Sequence, residues 1–307
     1  MRLITFRSKF AETKSAPRVG CLLTDNLILD FCEALSAHEK NLEVPADPIS
    51  WFDLDGPWLS ALRTLQDRIW QDFERPGGTR KALVHRDQVQ LLAPVLRPGK
   101  LICVGLNYRD HAAESNMPIP ESPVIFSKFT TAVVGSDQPV LLPTTSNKVD
   151  YEAELAVVIG RRAKHVQREQ ALDYVLGYTC FNDISARDFQ FADGQWQRGK
   201  SCDTFAPMGP YIATSDEIRG PHNLSIKLRL NGQTMQDSNT DQLIFGVPEL
   251  IAFLSETITL EPGDVIATGT PPGVGFARNP PVFLKRGDRM EVEIDGLGAL
   301  VNTVTHS

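Results

Sequence analysis

The feature that most constrains the fold of this chain is a short apolar run headed by two acidic residues. Residues 155–159 read Leu-Ala-Val-Val-Ile, which is apolar on both faces and typical of a buried strand. Glu152 and Glu154 stand two positions apart at its start. Because side chains alternate faces along a strand, both carboxylates are expected to point the same way. Two buried like charges are costly unless a cation neutralises them, so the run predicts an oxygen-liganded divalent metal and an enzyme.

A third carboxylate, Asp183, is the candidate that completes this metal site from a separate segment of the chain. Three carboxylates leave coordination positions open for water and substrate, which suits Mg²⁺ or Mn²⁺. A soft metal is disfavoured because no Cys or His stands at matching spacing. A solvent-exposed strand face would explain Glu152 and Glu154 by themselves, but the apolar residues that follow them favour a buried site.

The composition indicates a soluble globular protein with an ordinary core, with 42% hydrophobic and 22% charged residues among 307. A formal net charge of −7 and the lack of any long Lys/Arg run argue against nucleic acid or an anionic membrane as the main partner. Five scattered cysteines without a CxxC pair fit a reducing compartment. No signal-peptide-like or transmembrane-length apolar segment is seen. These features predict a cytoplasmic protein.

The distribution of short elements predicts two domains that divide near residues 93–99. Residues 1–97 contain strand patterns at residues 3–6, 18–23, 27–30 and 89–92 and an amphipathic helix over residues 58–73, which Arg-Pro-Gly-Gly at 75–78 should end. Residues 98–307 carry many β-like runs between Pro and Gly, and few helices. We expect an α+β, mostly β chain: a small N-terminal α/β domain and a β-roll or barrel-like catalytic domain. The expected strands of the second domain are residues 101–104, 124–126, 140–142, 155–159, 224–230, 265–268 and 290–294, and the expected helices are residues 169–175 and 248–254.

His111 and Glu114 form a second candidate group, just after the strand pattern at residues 101–104. In a short helix, residues i and i+3 lie on one face. A carboxylate beside an imidazole fixes its tautomer and raises its basicity, as a general base acting on water requires. An ordinary surface pair explains the same spacing, and it is the acidic cluster that favours the catalytic interpretation.

Cationic residues and a glycine-rich loop complete the candidates. Lys200 and Arg187 are candidates to bind a substrate carboxylate or a developing enolate, and Lys128 is a weaker one. The loop at residues 268–275 lacks the Gly-Lys-Ser/Thr ending of a P-loop, so a nucleotide site is rejected. Its backbone amides or the Thr270 hydroxyl are candidates to hold a carboxylate, and a plain turn between strands is the alternative.

Five ordered motifs between Lys100 and Val304 resemble the fumarylacetoacetate hydrolase family, in its short domain-containing branch. Each motif alone is weak, whereas five in order are specific. They are Gly105-Leu106-Asn107-Tyr108 with His111 and Glu114, Asp150-Tyr151-Glu152-Ala153-Glu154-Leu155, Asn182-Asp183-Ile184-Ser185-Ala186-Arg187-Asp188, Lys200 with Asp203-Thr204-Phe205, and Thr268-Gly269-Thr270-Pro271. Asn107 and Tyr108 stand where fumarylacetoacetase itself has a further aspartate ligand, which separates this chain from that enzyme.

The resemblance implies a β-roll catalytic domain, commonly homodimeric, with a variable N-terminal segment. It implies Mg²⁺ or Mn²⁺ held by the residues that match the family's ligands, which are Glu152, Glu154 and Asp183. It further implies that His111 and Glu114 activate water and that Lys200 stabilises developing negative charge. The residues that match substrate contacts are Arg187, Gln190, Thr270 and Tyr108.

These observations lead to the hypothesis of a hydrolase that cleaves a carbon–carbon bond in a 2,4-diketo acid, such as an acylpyruvate. Water activated by His111 attacks the distal carbonyl, and the bond breaks toward a metal-stabilised enolate. The alternatives are an oxaloacetate-type β-keto acid decarboxylase, a hydroxymuconate-type decarboxylase or isomerase, and a non-catalytic protein that binds metal or carboxylate. The expected partner is a small keto acid, which a lid at residues 189–199 is expected to select.

Overall fold

The computed structural model describes most of the chain, and the predicted helix end at residues 75–78 lies outside the described part. The described residues are 1–10, 16–38, 45, 47–73, 81–192, 194–218 and 220–306. Their strands are β1 (Arg2–Ser8), β2 (Arg18–Thr24), β3 (Leu27–Asp30), β4 (Leu83–His85), β5 (Val89–Leu91), β6 (Leu101–Gly105), β7 (Val124–Ser127), β8 (Val133–Val134), β9 (Val140–Leu142), β10 (Val149–Asp150), β11 (Ala153–Ile159), β12 (Val175–Asn182), β13 (Ser185–Ala186), β14 (Ala206–Thr214), β15 (Ser225–Leu230), β16 (Gln233–Asn239), β17 (Val265–Ala267), β18 (Arg289–Ile294) and β19 (Gly298–His306).

Helices are fewer than strands, as predicted for a mostly β chain. The α-helices are α1 (Phe31–His38), α2 (Pro57–Phe73), α3 (Arg109–Glu114), α4 (Arg187–Ala192), α5 (Gln197–Lys200) and α6 (Val247–Thr257). The 3₁₀ helices are Pro48–Phe52, Arg86–Gln88, Thr130–Ala132, Arg168–Tyr174, Thr240–Gln242 and Gly275–Ala277. Among the described residues, no helix is both long and apolar enough to span a bilayer.

A large, mostly antiparallel sheet forms the centre of the molecule, in the strand order β4-β3-β2-β1-β14-β12-β11-β17-β6-β7. Its two ends, β4 and β7, do not pair with each other, so the sheet is open. Strand β1 pairs with β14 from Arg2 opposite Ala213, which joins the N-terminal strands to the sheet that carries the acidic residues. Strands from both sides of residue 97 share this one sheet, so the sheet does not separate the two predicted domains. The division near residue 97 stays a prediction.

A second sheet, in the order β16-β15-β18-β19-β9, packs against the centre of the first. Strand β12 contacts β18 and β19, and β14 contacts β19. Strands β11 and β12 are therefore covered by protein, and every residue of both is buried. This burial explains the continuous apolar run of β11, because a strand that is covered on both faces loses the alternation of polar and apolar residues.

Two central strands, β12 and β14, were not predicted from the sequence. Strand β14 contains Pro207, Gly209 and Pro210, residues that usually mark the interruption of a strand. Strand β12 contains Gly177 and Thr179 among its apolar residues and shows no alternation, because all of it is buried. Burial by the second sheet, which composition does not reveal, overrides both local signals. The helix predicted at residues 169–175 is the 3₁₀ helix Arg168–Tyr174.

Candidate active site

The three candidate metal ligands lie together at the ends of two paired central strands. Glu154 lies in β11 and Glu152 directly precedes it, while Asp183 directly follows β12. The antiparallel pairing of Ala153 with Asn182 brings the strand ends side by side. One carboxylate oxygen of each acidic residue lies within 4.8 Å of the other two, and all three side chains are buried. Two central strands therefore build this acidic triad.

The pKa of Glu154 and the oxygen donors of the acidic triad favour a bound cation. Burial and the charges of Asp183 and Glu152 raise the pKa of Glu154 well above its usual range, and the charge of Lys200 opposes this only in part. The backbone amide of Gly269 donates to Glu154 Oε2 at 2.9 Å. A divalent cation would remove the remaining penalty, and an all-oxygen donor set suits Mg²⁺ or Mn²⁺. The residues present therefore fit such a metal.

Three buried cations surround the acidic triad. Lys200 Nζ donates to Glu152 Oε2 and to Asp183 Oδ2, at 2.7 Å each. Lys128 Nζ lies 2.5 Å from Asp183 Oδ1, and Arg187 Nη2 lies 2.6 Å from Glu152 Oε1. Burial opposes ionisation of Glu152, but Lys200 and Arg187 outweigh it and lower the pKa of Glu152 to about 2. Burial likewise opposes the charge of Lys200, but Asp183 and Glu152 raise its pKa, so this ammonium stays charged.

The predicted imidazole–carboxylate pair forms on α3. His111 Nδ1 lies 3.2 Å from Glu114 Oε2, and the imidazole is nearly buried. When Nδ1–H donates to Glu114, Nε2 carries no proton and is available as a base. The backbone amide of Gly273 donates to both carboxylate oxygens of Glu114, at 3.0 and 3.2 Å. Glu114 is therefore held from two sides, by His111 and by the loop that contains Gly273.

One cavity of about 510 Å³ is lined both by the pair on α3 and by Glu152 and Glu154 of the acidic triad. Its polar lining residues include His111, Glu114, Glu152, Glu154, Arg187, Gln190, Lys200 and Thr270, and its aromatic ones are Phe126, Phe191, Trp196 and Phe276. A larger cleft, of about 770 Å³, shares the lining residues Phe126 and Trp196 with this cavity. Among the described residues, no member of the triad or of the imidazole–carboxylate pair lines that larger cleft. The smaller cavity is therefore the candidate site.

Arg187 and Gln190, predicted as substrate contacts, line the cavity while bonded to other protein groups. Arg187 Nε and Nη2 donate to Asp150 Oδ2 at 2.9 and 2.8 Å, and Arg187 Nη1 donates to Gln190 Oε1 at 3.0 Å. Asp150 is fully buried. The Phe276 ring lies 4.4 Å from the Arg187 guanidinium carbon, a cation–π distance. The guanidinium is thus fixed in place before any substrate arrives.

Tyr108 lies apart from the other predicted site residues. It is fully buried, and its hydroxyl has no hydrogen-bond partner among the described residues. It does not line the cavity, so this position gives no support to its predicted role as a substrate contact. Asp183 also lies behind the cavity wall, where it contacts Lys200 and Lys128.

The sequence did not predict how the glycine-rich loop is used. Its amides hold the protein's own carboxylates, Glu154 and Glu114, rather than a carboxylate of the substrate. Buried Gln236 on β16 was missed as well: its Oε1 accepts from Ala153 N at 2.9 Å and its Nε2 donates to Thr270 Oγ1 at 2.8 Å. The repeated glycines of the loop were the available signal for close backbone approach, whereas Gln236 gave none.

The predicted lid segment, residues 189–199, forms part of the cavity wall. It contains the end of α4 and the start of α5, and residue 193 lies outside the described residues. Trp196 packs against Phe126 with ring centroids 5.3 Å apart, and Phe191 packs against Phe276 at 5.9 Å. Phe191 nevertheless remains 61% exposed. These contacts place aromatic side chains at the cavity mouth, and closure of a lid stays a prediction.

An open, mostly β fold with a buried carboxylate triad beside a cavity that an imidazole–carboxylate pair lines defines a class of enzymes with an oxygen-donor metal site. The chain belongs to the fumarylacetoacetate hydrolase family, since the model of that family's C-terminal domain matches residues 100–305. Within the family it is similar to the domain-containing protein 2 branch, which is distinct from fumarylacetoacetase itself. The predicted family and branch are thereby confirmed.

Curated relatives and solved structures agree with this membership. A Xenopus laevis protein named mitochondrial oxaloacetate tautomerase is 44% identical over 99% of this chain and 90% of its own length. A human protein of the same name is 51% identical over 71% of this chain and 70% of its own. Two solved structures each cover 100% of both chains: a fumarylacetoacetate hydrolase from Exiguobacterium antarcticum (32% identity, TM-score 0.79) and a 5-carboxymethyl-2-hydroxymuconate delta-isomerase from Mycobacterium smegmatis (32%, TM-score 0.75).

The relatives' names also correct one prediction. Several of them are named as mitochondrial proteins, which points away from the cytoplasmic location that the sequence predicted. That prediction was wrong because it rested on composition and cysteine usage. A mitochondrial matrix is also a reducing compartment in which free cysteines persist, so these features do not separate it from the cytoplasm.

Proposed function

We propose that the protein interconverts the keto and enol forms of a short 2-oxo dicarboxylic acid of the oxaloacetate type. The observation that carries the proposal is the presence of the His111–Glu114 pair and the charged Lys200 in one cavity with Glu152 and Glu154 of the acidic triad. A proton carrier and a stabiliser of negative oxygen are what enolisation requires. The names of the relatives that are 44% and 51% identical support this substrate class.

Enolisation moves one proton from the carbon beside the ketone to the ketone oxygen, and no bond of the carbon skeleton breaks. His111 Nε2 would take the proton from carbon and return it at oxygen, while Glu114 stabilises the imidazolium formed in between. Lys200 would stabilise the negative charge on the oxygen, and Arg187 with Gln190 would orient a substrate carboxylate. Mg²⁺ or Mn²⁺ held by Glu152, Glu154 and Asp183 would supply Lewis acidity toward that oxygen.

Hydrolytic cleavage of a 2,4-diketo acid is the second candidate. The aromatic residues Phe126, Phe191 and Trp196 line the cavity together with its charged groups and would contact a longer acyl chain. The structural similarity to a fumarylacetoacetate hydrolase agrees with this reaction. His111 would then take its proton from water, which attacks the distal carbonyl. Decarboxylation and hydroxymuconate-type isomerisation use the same enolate and remain alternatives.

The products separate these candidates. The purified protein with Mg²⁺ or Mn²⁺ would be mixed with oxaloacetate prepared in the enol form, and the ultraviolet absorbance of the enol followed beside assays for pyruvate and carbon dioxide. Faster loss of the enol without pyruvate supports the tautomerase, and stoichiometric pyruvate with carbon dioxide indicates a decarboxylase. Release of pyruvate and a carboxylic acid from an acylpyruvate indicates the hydrolase. No acceleration on any of these substrates would overturn the proposal.

A further inference from the structure

The loop at residues 269–276 donates backbone amides to three acidic side chains around the cavity. Gly269 N donates to Glu154 at 2.9 Å, and Gly273 N donates to Glu114 at 3.0 and 3.2 Å. Gly275 N donates to Asp150 Oδ1 at 2.7 Å, and Phe276 N donates to Asp150 Oδ2 at 3.1 Å. These carboxylates serve different parts of the site: Glu154 belongs to the acidic triad, Glu114 pairs with His111, and Asp150 holds Arg187.

The backbone of Gly273 is constrained at its Cα and at its carbonyl oxygen. Its φ of +99° lies in the left-handed region, and a Cβ there would overlap the backbone oxygen of Met235. Its carbonyl oxygen accepts from Tyr151 Oη at 3.3 Å and from Arg278 Nε at 3.2 Å. Arg278 also donates to the Met235 carbonyl. The amide that contacts Glu114 is therefore aimed by contacts that lie outside the cavity.

We infer that Gly273 is a positioning residue for Glu114 and that it orients the imidazole–carboxylate pair independently of the metal ligands. Glu114 is 31% exposed in its side chain and stands at the last residue of a six-residue helix, so helix α3 alone does not fix its carboxylate. The two hydrogen bonds from Gly273 N provide that restraint. Gly269 N is a separate donor that serves Glu154, and Gly273 N donates to Glu114 and to no member of the triad. The inference rests on the proposed role of His111 and Glu114 in catalysis.

A matched pair of glycine substitutions tests the inference. Gly287 has a φ of +89°, and a Cβ there meets no described atom within 4 Å. Gly273→Ala and Gly287→Ala therefore share the backbone cost of a positive φ, while only Gly273→Ala displaces the amide that holds Glu114. We expect kcat to fall roughly 10- to 100-fold in Gly273→Ala, because a misplacement of about 1 Å costs that much. We expect the KM and the dissociation constant for Mn²⁺ to stay within about twofold, and Gly287→Ala to keep the parent kcat.

A second variant and a second measurement cover the case in which Gly273→Ala does not fold. Arg278→Met removes the hydrogen bond to Gly273 O without entering the cavity, and Arg278→Lys keeps a donor there. We expect a smaller loss of kcat in Arg278→Met, with partial recovery in Arg278→Lys. A fall in Mn²⁺ affinity that parallels the fall in kcat would overturn independent positioning, because it would show that the whole site had moved.

The tautomer of His111 provides a measurement that does not need activity. Two-bond ¹H–¹⁵N correlation spectra distinguish imidazole tautomers, and the signals missing from His111→Ala identify this residue. The parent protein should show Nδ1–H, held by Glu114, and Gly273→Ala should show a mixture of tautomers. If the parent protein has no activity on the substrates above but Gly273→Ala still shows the mixture of His111 tautomers, the proposed function is wrong and the positioning role of Gly273 stands. Parent kcat and an unchanged His111 spectrum in Gly273→Ala would overturn the inference.

Discussion

At the scale of single residues, the His111–Glu114 pair would carry the proton in both proposed reactions. His111→Ala removes the base, and Glu114→Gln removes the charge that stabilises the imidazolium. We expect each to lower kcat by roughly 10²- to 10⁴-fold, the usual worth of a positioned acid–base group. Steady-state kinetics on enol-oxaloacetate would measure this, with exposed His85→Ala as a control that keeps parent activity. Full activity in His111→Ala would exclude the imidazole as the proton carrier.

The raised pKa of Glu154 leads us to expect that this residue lowers the stability of the metal-free protein as the pH rises. Burial and neighbouring carboxylates raise its folded pKa above the ordinary 4.5, so its stabilising contribution is complete below about pH 4.5 and lost as the pH rises through the folded pKa. Glu152, with a pKa of about 2, contributes in the opposite sense: its stabilisation is present above about pH 4.5 and lost as the pH falls toward 2. In the metal-free state, the melting temperature of Glu154→Gln should therefore exceed that of the parent by an amount that grows as the pH rises from about 5 to 8.

Thermal melts with chelator and with Mg²⁺ would measure this effect. At a Mg²⁺ concentration of 100 times its dissociation constant, the parent should gain about 2.7 kcal/mol of unfolding free energy, and Glu154→Gln should gain much less. Parallel curves for the two chelated proteins across this pH range would contradict the assignment of a raised pKa to Glu154.

The residue scale also shows which parts of the site a sequence can predict. Strand parity predicted that Glu152 and Glu154 share one face, and the motif around Asp183 supplied the third carboxylate. These ligands could be predicted because the residue type alone determines that a side chain carries a carboxylate. The amides of Gly269 and Gly273 were missed as partners of Glu154 and Glu114, since every residue except proline carries the same amide. Only the folded path of the loop decides where such a donor points.

At the scale of elements, strand β16 of the second sheet helps to hold the site. The Gln236 side chain links Ala153 N at the start of β11 to Thr270 Oγ1 and Pro271 O in the glycine-rich loop. Gln236→Leu would leave the buried amide of Ala153 without its acceptor, at a cost of about 1–3 kcal/mol. Urea unfolding should show this loss, whereas Gln233→Leu, at an exposed position of the same strand, should change stability by less than about 0.5 kcal/mol. Equal effects of the two variants would contradict the linking role.

The elements that were not predicted from the sequence are those whose conformation depends on residues far away in the chain. Residues 155–159 were predicted as a strand because they are apolar and β-branched, and the structure confirms them in β11. Strand β14 was missed because Pro207, Gly209 and Pro210 interrupt the local pattern, although its pairing with β1 and β12 places it in the middle of the sheet. Long-range pairing of this kind is not visible in a window of neighbouring residues.

At the scale of the whole molecule, four of the nine large apolar side chains that are exposed among the described residues line the two neighbouring clefts. Met117 and Phe191 line the smaller cavity, while Val124 and Phe129 line the larger cleft, and each of the four is at least 40% exposed. Strand β7 (Val124–Ser127) is the edge of the large sheet on this side. Apolar patches beside an open sheet edge are typical of surfaces that bind another protein chain.

We therefore propose that the chain forms a homodimer, as the family resemblance implied, and that this face takes part in it. Light scattering after size exclusion should give about 68 kDa, twice the 34.0 kDa of one chain. Phe129→Glu places a charge on the apolar patch without touching the acidic triad, and should move the measured mass toward 34.0 kDa at micromolar concentration. Val124→Glu, on the same patch, should act in the same direction, whereas Phe253→Glu, an exposed aromatic position on α6, should leave the dimer intact. A mass of 34.0 kDa for the parent protein would exclude the homodimer. A dimer that withstands both charge substitutions would place its interface on another face.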